Sequence, residues 1–269
     1  MVRKVMAGDD RSKAPGAPSR LLGANDPPPV EIINQWGRSP FLLVADHCGK
    51  RIPHALGTLG LRVADQERHI AWDIGTASLG ECLANTLDAV FLRQPYSRLV
   101  IDCNRDPDAM DAIPATSDET IIARNQLLSP EDRAARVSEI HEPYHRAIAA
   151  EICRRSQTGL STLLVSLHSF TPVMAGFVRP WQIGVLHDGA NDAMALRLLA
   201  WLRAQKRWVV GDNEPYRMDS TDYTVPRHAF AAGLGYVEIE VSQRELRAES
   251  GWRAWCDALT QGLPMAIRR

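Results

Sequence analysis

Short apolar runs alternate along the chain with longer segments of helical periodicity. Phe41–Ala45 is a continuous apolar run followed directly by Asp46 and His47, a pattern typical of a buried strand that ends at a sheet edge. Similar runs rich in branched residues predict further strands at 89–92, 98–102, 162–167, 183–186 and 236–241. Apolar residues at helical spacing predict helices over 76–87, 130–155, 191–205 and 252–263.

The alternation of strands with helices predicts an α/β fold, with a central mixed, largely parallel sheet and helices on both of its faces. Ligands of such sheets usually bind just beyond the carboxyl ends of the strands. Polar side chains that directly follow a predicted strand are therefore the first candidates for a functional site.

The N-terminal segment differs in composition from the rest of the chain. Five prolines with Gly, Ser, Asp and Arg between them leave too few apolar side chains to offset the entropy cost of ordering. We expect a flexible arm over residues 1–35, with regular structure beginning near Pro40. No interior segment has the composition of a linker, which predicts one domain over residues 36–269.

Charge and cysteine content narrow the choice of partner and compartment. The 31 Lys and Arg residues nearly balance the 32 Asp and Glu residues, so we expect a small-molecule partner and neither nucleic acid nor a membrane. No apolar run approaches the roughly 20 residues of a membrane helix. The 5 scattered cysteines contain no C-x-x-C pair, so neither a disulfide framework nor a thiolate zinc site is expected. We predict a cytoplasmic protein, either a monomer or a homo-oligomer.

Two histidines, His47 and His168, follow or end predicted strands. Neutral imidazole is the commonest zinc ligand in proteins, and a catalytic zinc ion takes three protein ligands and leaves one position to water. Asp73, between an apolar pair and a glycine turn, is the candidate for the third ligand. Two alternatives stay open: Asp73 could cap the helix that begins near Thr76, and either histidine alone could have a structural role.

An unusual polar segment brackets and closes the strand predicted over 98–102. Arg98 stands at its start, and Asn104 and Arg105 follow its end. Arginine offers a planar donor fork that matches a carboxylate, so a clamp for a substrate carboxylate is one interpretation. The other is a salt bridge from either arginine to Asp102 or Asp106 that only fixes the loop.

The last predicted strand carries two carboxylates. Glu238 and Glu240 alternate with apolar residues and therefore share one face of the strand. A strand otherwise so apolar rarely carries two carboxylates on one face without partners. Tyr223 and His228, which precede this strand, are candidate pocket residues, and for both a structural role is the alternative.

Seven short motifs occur in the order seen in one enzyme family. They are His47-Cys48-Gly49 with Ile52-Pro53, Asp73-Ile74-Gly75, Ser97-Arg98 with Asp102-Cys103-Asn104-Arg105, Pro143-Tyr144-His145, Leu167-His168-Ser169-Phe170, Asn213-Glu214-Pro215-Tyr216 and Ile239-Glu240-Val241. Over residues 40–246 the chain resembles the N-formylglutamate amidohydrolases, a family similar to the zinc-dependent exopeptidases and aspartoacylases. The resemblance implies an exopeptidase-like fold and hydrolysis of the amide bond of an N-formyl or other N-acyl amino acid, such as N-formylglutamate.

The resemblance also implies a metal site. His47 and His168 would hold one zinc ion. The exopeptidase pattern has a glutamate ligand where this chain has Lys50, so the carboxylate ligand must come from elsewhere. Asp73 is our choice for it, with Asp46 in reserve.

Further roles follow from the same resemblance. Glu240 would be the general base, and Asn104 with Arg105 would bind the substrate carboxylate. We expect Arg98 to stabilise the oxyanion. Two other functions stay open: a related N-acyl amino acid amidase or exopeptidase, and a metal-free protein that captures a small dicarboxylate through Arg98 and Arg105.

Overall fold

Eleven strands and seven α-helices follow one another in the computed structural model, which describes residues 20–189 and 191–268. The strands are β1 (Glu31–Ile33), β2 (Phe41–Ala45), β3 (Val90–Arg93), β4 (Thr116–Ser117), β5 (Thr120–Ile121), β6 (Leu163–Phe170), β7 (Val173–Met174), β8 (Phe177–Val178), β9 (Ile183–Leu186), β10 (Val210–Asp212) and β11 (Gly235–Ser242). The helices are α1 (Val63–Gln66), α2 (Thr76–Leu87), α3 (Pro130–Arg136), α4 (Glu142–Gln157), α5 (Ala193–Ala204), α6 (Gln243–Leu246) and α7 (Glu249–Ile267). None of these helices is both long and apolar enough to cross a membrane.

Seven strands form the central sheet, in the order β1-β3-β2-β6-β11-β9-β10. The pairs β3–β2, β2–β6, β6–β11 and β9–β10 are parallel, whereas β1–β3 and β11–β9 are antiparallel. The remaining four strands form the hairpins β4–β5 and β7–β8. The sheet is therefore mixed and largely parallel, as the sequence pattern predicts.

The sheet separates two hydrophobic cores. On one face, side chains such as Leu43 and Ile239 pack with α2, α5 and α7. On the other face, Leu42 and Tyr236 pack with α4 and with long connecting segments. Because alternate residues of a strand point to opposite faces, the central strands contribute to both cores, which explains their nearly continuous apolar sequences.

The second face of the sheet changes from apolar to polar toward the carboxyl ends of its strands. On β6, Leu164 belongs to the core, while His168 lies on the same face four residues later. On β11, Tyr236 belongs to the core, and Glu240 occupies the matching later position. The register pairs Glu240 with His168. Parallel pairing thus gathers chemically active side chains at one edge of the sheet.

Two glycines let α2 approach the sheet closely. Gly75, with φ of +85°, immediately precedes α2, and a Cβ atom there would lie 2.4 Å from the Cβ atom of Leu246. A Cβ atom on Gly80 would lie 2.4 Å from the ring of Phe91 in β3. This close packing fixes the start of α2, and with it the segment that carries Asp73.

A disulfide between Cys82 and Cys256 joins α2 to α7. The expectation of no disulfide is therefore wrong. The two cysteines are separated by 174 positions, so no local spacing indicates their pairing. Disulfides are rare in reducing compartments, so this bond gives no support to the cytoplasmic location, which stays a prediction.

Residues 98–102 form a buried turn rather than the predicted strand. Val100 and Ile101 are buried, so the apolar run reports burial and not sheet pairing. Side chains satisfy the backbone carbonyl groups: Arg136 donates to the carbonyl of Val100 at 2.8 Å, and Asn125 to that of Leu99 at 2.8 Å. These bonds replace the hydrogen bonds that a neighbouring strand would supply.

The helix predicted over 130–155 is divided. It consists of α3, a π-helical turn at Val137–His141, and α4. Pro143 lies at the start of α4. It has no backbone N–H, so a continuous helix through this position would lack one of its backbone hydrogen bonds. A π-helical turn accommodates such an interruption without ending the helix, and turns of this kind often occur at functional sites.

Residues 20–35 contact the rest of the protein, whereas residues 1–19 of the predicted arm lie outside the described residues. Leu21 and Leu22 are buried, and their backbone N–H groups donate to the carboxylate of Glu139 at 2.7 and 2.9 Å. Strand β1 pairs with β3. The expectation that regular structure begins near Pro40 is therefore wrong, because residues 31–33 form an edge strand.

Candidate metal centre and active site

Three buried side chains meet where β2, β6 and the segment before α2 come together. His47 follows β2, His168 lies on β6, and Asp73 precedes α2. Their potential ligand atoms all lie within 4.8 Å of one another. Oδ2 of Asp73 is 3.2 Å from Nδ1 of His168 and 3.6 Å from Nδ1 of His47. The structure thus brings together the three residues predicted as metal ligands.

Each imidazole turns its other nitrogen toward a carboxylate. Nε2 of His47 is 2.6 Å from Oδ1 of Asp102. Nε2 of His168 is 3.0 Å from the hydroxyl oxygen of Ser166 and 3.5 Å from Oδ2 of Asp46. A proton on Nε2 leaves the Nδ1 lone pair free, and partners of this kind commonly orient metal-binding histidines. Asp46, the reserve ligand, therefore lies behind His168, while Asp73 lies at the centre.

Asp73 does not cap α2. The capping position belongs to Gly75, which makes no side-chain cap bond. Oδ2 of Asp73 instead accepts a hydrogen bond from the backbone N–H of Ser169 at 3.2 Å. The backbone N–H of Asp73 donates to the carbonyl of His47 at 2.8 Å. The carboxylate is therefore held against both imidazoles, and the capping alternative is wrong.

The charges of this cluster suit a cation. Burial alone would lower the pKa of His168, but its contacts with Asp46 and Asp73 raise that pKa well above 6.5. Burial alone would raise the pKa of Asp46, but His168 lowers it to about 2. Nδ1 of His47 is buried and has no hydrogen-bond partner among the described residues. Two imidazole nitrogens and one carboxylate oxygen form a donor set typical of catalytic zinc, so these residues fit the predicted ion.

A cavity of about 420 Å³ opens at the cluster. Its lining includes all three cluster residues and, from β11, Glu238 and Glu240. Both glutamates are buried, and one carboxylate oxygen of each has no hydrogen-bond partner in the described part of the chain. Burial raises the pKa of each to about 8. Carboxyl groups without fixed partners in such a cavity are able to exchange protons with a bound molecule.

Three arginines line the same cavity: Arg98, Arg105 and Arg217. Arg98 donates to Asp102 at 2.6 Å, and Arg105 donates to Asp111 at 3.0 Å. Arg217 makes no ion pair with any residue within 20–189 and 191–268. The cavity therefore offers a guanidinium group without a protein partner to an anionic ligand.

Asn104 lines the cavity, but its amide group already has partners. Its Oδ1 accepts hydrogen bonds from the backbone N–H groups of Tyr223 at 3.0 Å and Thr224 at 2.9 Å. Its Nδ2 donates to Asp222 at 3.1 Å. Asn104 therefore positions the loop at 222–224, and its contact with a substrate carboxylate stays a prediction.

Tyr223 and His228 are not among the residues that line the cavity, and their role in substrate binding stays a prediction. Nε2 of His228 is 3.0 Å from Nδ1 of His145, and the two rings are stacked with centroids 5.2 Å apart. The hydroxyl group of Tyr223 accepts a hydrogen bond from Arg227, and its ring packs against that of His145. Both residues belong to an aromatic cluster, which fits the structural role that the sequence left open.

This aromatic cluster supports the segment that carries Asn104 and Arg105. Nε2 of His145 is 2.9 Å from the carbonyl oxygen of Cys103. Nε2 of His141, in the π-helical turn, is 3.0 Å from the carbonyl oxygen of Arg105. Two histidines from one helical region therefore hold both ends of residues 103–105 against the cavity.

Sequence reasoning did not assign four residues that the structure places in or beside the site. Asp102 was considered only as a salt-bridge partner, although it contacts both His47 and Arg98. The others are Arg179, Tyr216 and Arg217. One signal in the sequence was available for Tyr216, because this residue ends one of the seven family motifs. That motif follows no predicted strand, and no function was attached to it.

The fold and the site together define a class of protein. A buried His-Asp-His cluster lies at the carboxyl edge of the α/β sheet, beside two glutamates that each have one carboxylate oxygen without a hydrogen-bond partner among the described residues. Such an arrangement is typical of metal-dependent hydrolases. The family model for N-formylglutamate amidohydrolase matches residues 39–246. The chain therefore belongs to the N-formylglutamate amidohydrolase family, and this membership supports an amidohydrolase activity.

Two solved structures are similar over most of the chain. A gene product from Agrobacterium tumefaciens has a TM-score of 0.89 and 32% sequence identity, over 92% of this chain and 98% of that chain. N-formylglutamate amidohydrolase from Ralstonia eutropha has a TM-score of 0.66 and 18% identity, over 88% of this chain and 97% of that chain. At this lower identity the similarity shows the fold. A comparison with curated proteins finds no match.

Proposed function

We propose that this protein is a zinc-dependent amidohydrolase that cleaves the amide bond of an N-formyl amino acid such as N-formylglutamate. The observation that carries this proposal is the convergence of His47, Asp73 and His168 in a cavity that also contains Glu240. Membership of the family supports the amide substrate. The arginines of the cavity support an acidic one.

The three cluster residues would hold one zinc ion through Nδ1 of His47, Nδ1 of His168 and Oδ2 of Asp73. Asp102 keeps the His47 ring in the required tautomer, because its oxygen accepts the proton on Nε2. Ser166 and Asp46 do the same for His168. When bound, a zinc ion supplies Lewis acidity, which polarises an amide carbonyl and makes hydroxide available near neutral pH.

Glu240 is the general base of this proposal. Its position opposite His168 in the β6–β11 register places it beside the cluster. The positive charge of an ion held by the cluster would favour the ionised form of Glu240. Its carboxylate oxygen, which has no hydrogen-bond partner among the described residues, would then accept a proton from the attacking water and deliver that proton to the leaving nitrogen. Glu238 lies two residues deeper along the strand, on the same face, opposite Ser166.

The three arginines of the cavity have different roles in binding negative charge. Arg217 has no ion-pair partner in the part of the chain that the structure describes, so it would be available to bind a carboxylate in a bidentate manner. The partner of Arg105, Asp111, is 61% exposed, so a substrate carboxylate can replace this weak ion pair at little cost. Arg98 is held by the buried Asp102 and would stabilise the negative charge that develops on the carbonyl oxygen.

A second candidate differs only in the acyl group. The cavity volume falls in the range of roughly 300–1,000 Å³ that is usual for small-molecule sites and does not restrict the acid to formate. A related N-acyl amino acid amidase is therefore the alternative. A metal-free dicarboxylate-binding protein would use the same arginines. It is distinguished by a ligand affinity that does not change when a chelator removes metal.

The experiment is a substrate panel at defined zinc content. Chelated protein is reloaded with one equivalent of zinc, and acid release is measured from N-formyl-, N-acetyl- and N-succinyl-L-glutamate and from N-formyl-L-leucine. We expect zinc-dependent turnover that is fastest for N-formylglutamate. Absence of turnover with every compound, together with glutamate binding that survives chelation, would favour the binder.

Histidine variants provide the matched control for this panel. His168→Ala should lose both zinc and turnover. His69→Ala changes another histidine of the cavity lining that lies outside the ligand cluster, and it should retain zinc. Zinc that stays at full stoichiometry in His168→Ala would remove that residue from the ligand set.

A further inference from the structure

Tyr216 and Arg179 form a pair at the cavity wall that the proposed mechanism does not yet use. Tyr216 lines the cavity and is 38% exposed, whereas Arg179 is only 8% exposed. Nη1 of Arg179 donates to the phenolic oxygen of Tyr216 at 2.9 Å and to the carbonyl of Thr171 at 3.2 Å. The guanidinium also lies 4.6 Å from the centroid of the Tyr216 ring. Arg179 therefore holds the phenol of Tyr216 in one orientation.

Arg179 has no carboxylate within ion-pairing distance in the described part of the chain. A buried guanidinium usually requires an anionic partner, because burial without one costs free energy. Here its hydrogen bonds go to a carbonyl oxygen and to a phenol. Its positive charge therefore acts on the Tyr216 hydroxyl group and makes that group a stronger hydrogen-bond donor.

The phenolic hydrogen of Tyr216 is available for donation. An oxygen that accepts a hydrogen bond from arginine still carries its own hydrogen, and no acceptor for it is found among the described residues. Burial and the nearby charge of Glu240 raise the pKa of Tyr216, while Arg179 and Arg98 oppose this rise. The hydroxyl group thus stays protonated near the general base and near Arg98.

We propose that Tyr216 is a further catalytic residue, which donates a hydrogen bond to the carbonyl oxygen of the scissile amide as negative charge develops there. Arg179 is its positioning residue. This inference rests on the proposed function. One side of the Arg98 fork is committed to Asp102, so a second donor adds to the stabilisation of the oxyanion. A donor held in place before the reaction lowers the barrier without a reorganisation cost.

The first test is Tyr216→Phe, which removes only the hydroxyl group. We expect kcat for N-formylglutamate to fall by roughly 100-fold or more, as for loss of one oxyanion donor, while KM and zinc content stay close to the wild-type values. The matched control is Tyr96→Phe. It removes a phenol whose hydroxyl group donates to the carbonyl of Pro27 at 2.6 Å, outside the cavity lining, and it should keep the wild-type kcat.

The second test separates positioning from stability. Arg179→Gln should lower kcat in the wild-type background but have little further effect in Tyr216→Phe, because both changes remove the same donor. A merely structural role would give losses that add in the double variant. Additive losses therefore overturn the positioning role.

The outcomes also separate this inference from the proposed function. A fall in kcat of less than about threefold in Tyr216→Phe, or a rise in KM with kcat kept, overturns the catalytic role of Tyr216. Absence of wild-type turnover contradicts the proposed function, and this inference with it. Wild-type turnover that survives Tyr216→Phe contradicts the inference alone.

Discussion

The two ring nitrogens of His47 have different neighbours, and this difference determines what the site can bind. Nε2 contacts the carboxylate of Asp102, whereas Nδ1 is buried without a hydrogen-bond partner among the described residues. His168 turns Nδ1 toward Asp73 at 3.2 Å and Nε2 toward Ser166, and Nδ1 of His47 also faces Asp73, at the longer distance of 3.6 Å. Both rings therefore present the same nitrogen to the same carboxylate.

At this scale the most informative substitution is Glu240→Gln. We expect it to retain zinc and to lower kcat by roughly 100- to 10,000-fold, because an amide cannot accept the proton of the attacking water. Glu238→Gln is the matched control on the same face of β11, two register pairs further from the strand end. Metal content and single-substrate kinetics of both variants check this prediction. An equal or larger loss in Glu238→Gln would transfer the role to that residue.

Single residues were predictable from sequence where their function depends on local position. His47, His168 and Asp73 follow or end strands or stand before a helix, and the motifs around them are distinctive. The role of Asp102 was not predictable, because it depends on a contact with His47 across 55 positions of the chain. The contact of His228 with His145 was not predictable for the same reason, since His145 comes from a distant helix.

At the scale of elements, the helical region from α3 to α4 supports a backbone segment at the cavity. The π-helical turn and the first turns of α4 present His141 and His145 to the backbone of residues 103–105. Both rings are buried, and His145 also contacts His228. Protonation of this histidine cluster is therefore costly in the folded state.

This cluster predicts a loss of stability in acid. Burial, together with nearby positive charge, lowers the pKa of His145 to about 3 and that of His228 to about 4, from 6.5. The unfolded chain therefore binds protons first, so the stabilisation is complete above pH 6.5 and is lost as pH falls from there toward 4 and then 3. Each histidine contributes a slope of at most ~1.4 kcal/mol per pH unit.

Chemical denaturation between pH 7.5 and pH 5 (roughly one unit either side of the ordinary histidine pKa) measures this slope. His145→Gln with His228→Gln should reduce the dependence of the unfolding free energy on pH, whatever its effect on stability at neutral pH. His47 and His168 are the same in both proteins, so their contribution cancels. An unchanged slope would show that the two rings titrate normally in the folded protein.

The elements themselves were predictable where periodicity and burial coincide. The bounds of α2, β2 and β9 agree with the sequence pattern. Residues 98–102 have an apolar strand-like sequence because Leu99, Val100 and Ile101 are buried, and the distant side chains of Asn125 and Arg136 bond to the carbonyl groups of the turn that forms there. Strands β1 and β10 are three-residue edge strands, too short to give a periodic signal.

At the scale of the whole molecule, the disulfide lies on the face of the sheet opposite the cavity. Cys82 and Cys256 join two helices that cover the core of Leu43 and Ile239, whereas the site residues of β6 and β11 point to the other face. The bond closes a loop of 174 positions, and a loop of that size corresponds to roughly 5 kcal/mol in the chain-entropy model.

We therefore expect Cys256→Ser to lower the unfolding free energy by about 2–5 kcal/mol while zinc content and kcat stay unchanged. Cys153→Ser, at an exposed free cysteine, is the control and should have no effect on stability. Denaturation with and without reductant measures both. A wild-type protein whose stability is insensitive to reductant would contradict a stabilising role for this bond.

The central claim is that His47, Asp73 and His168 hold one divalent ion, and anomalous diffraction at the zinc edge tests it most directly. Crystals of protein loaded with one equivalent of zinc should show a single strong peak at about 2.0–2.2 Å from Nδ1 of both histidines and from a carboxylate oxygen of Asp73. A peak at other residues, or no peak at this cluster with zinc present at full stoichiometry, would contradict the account.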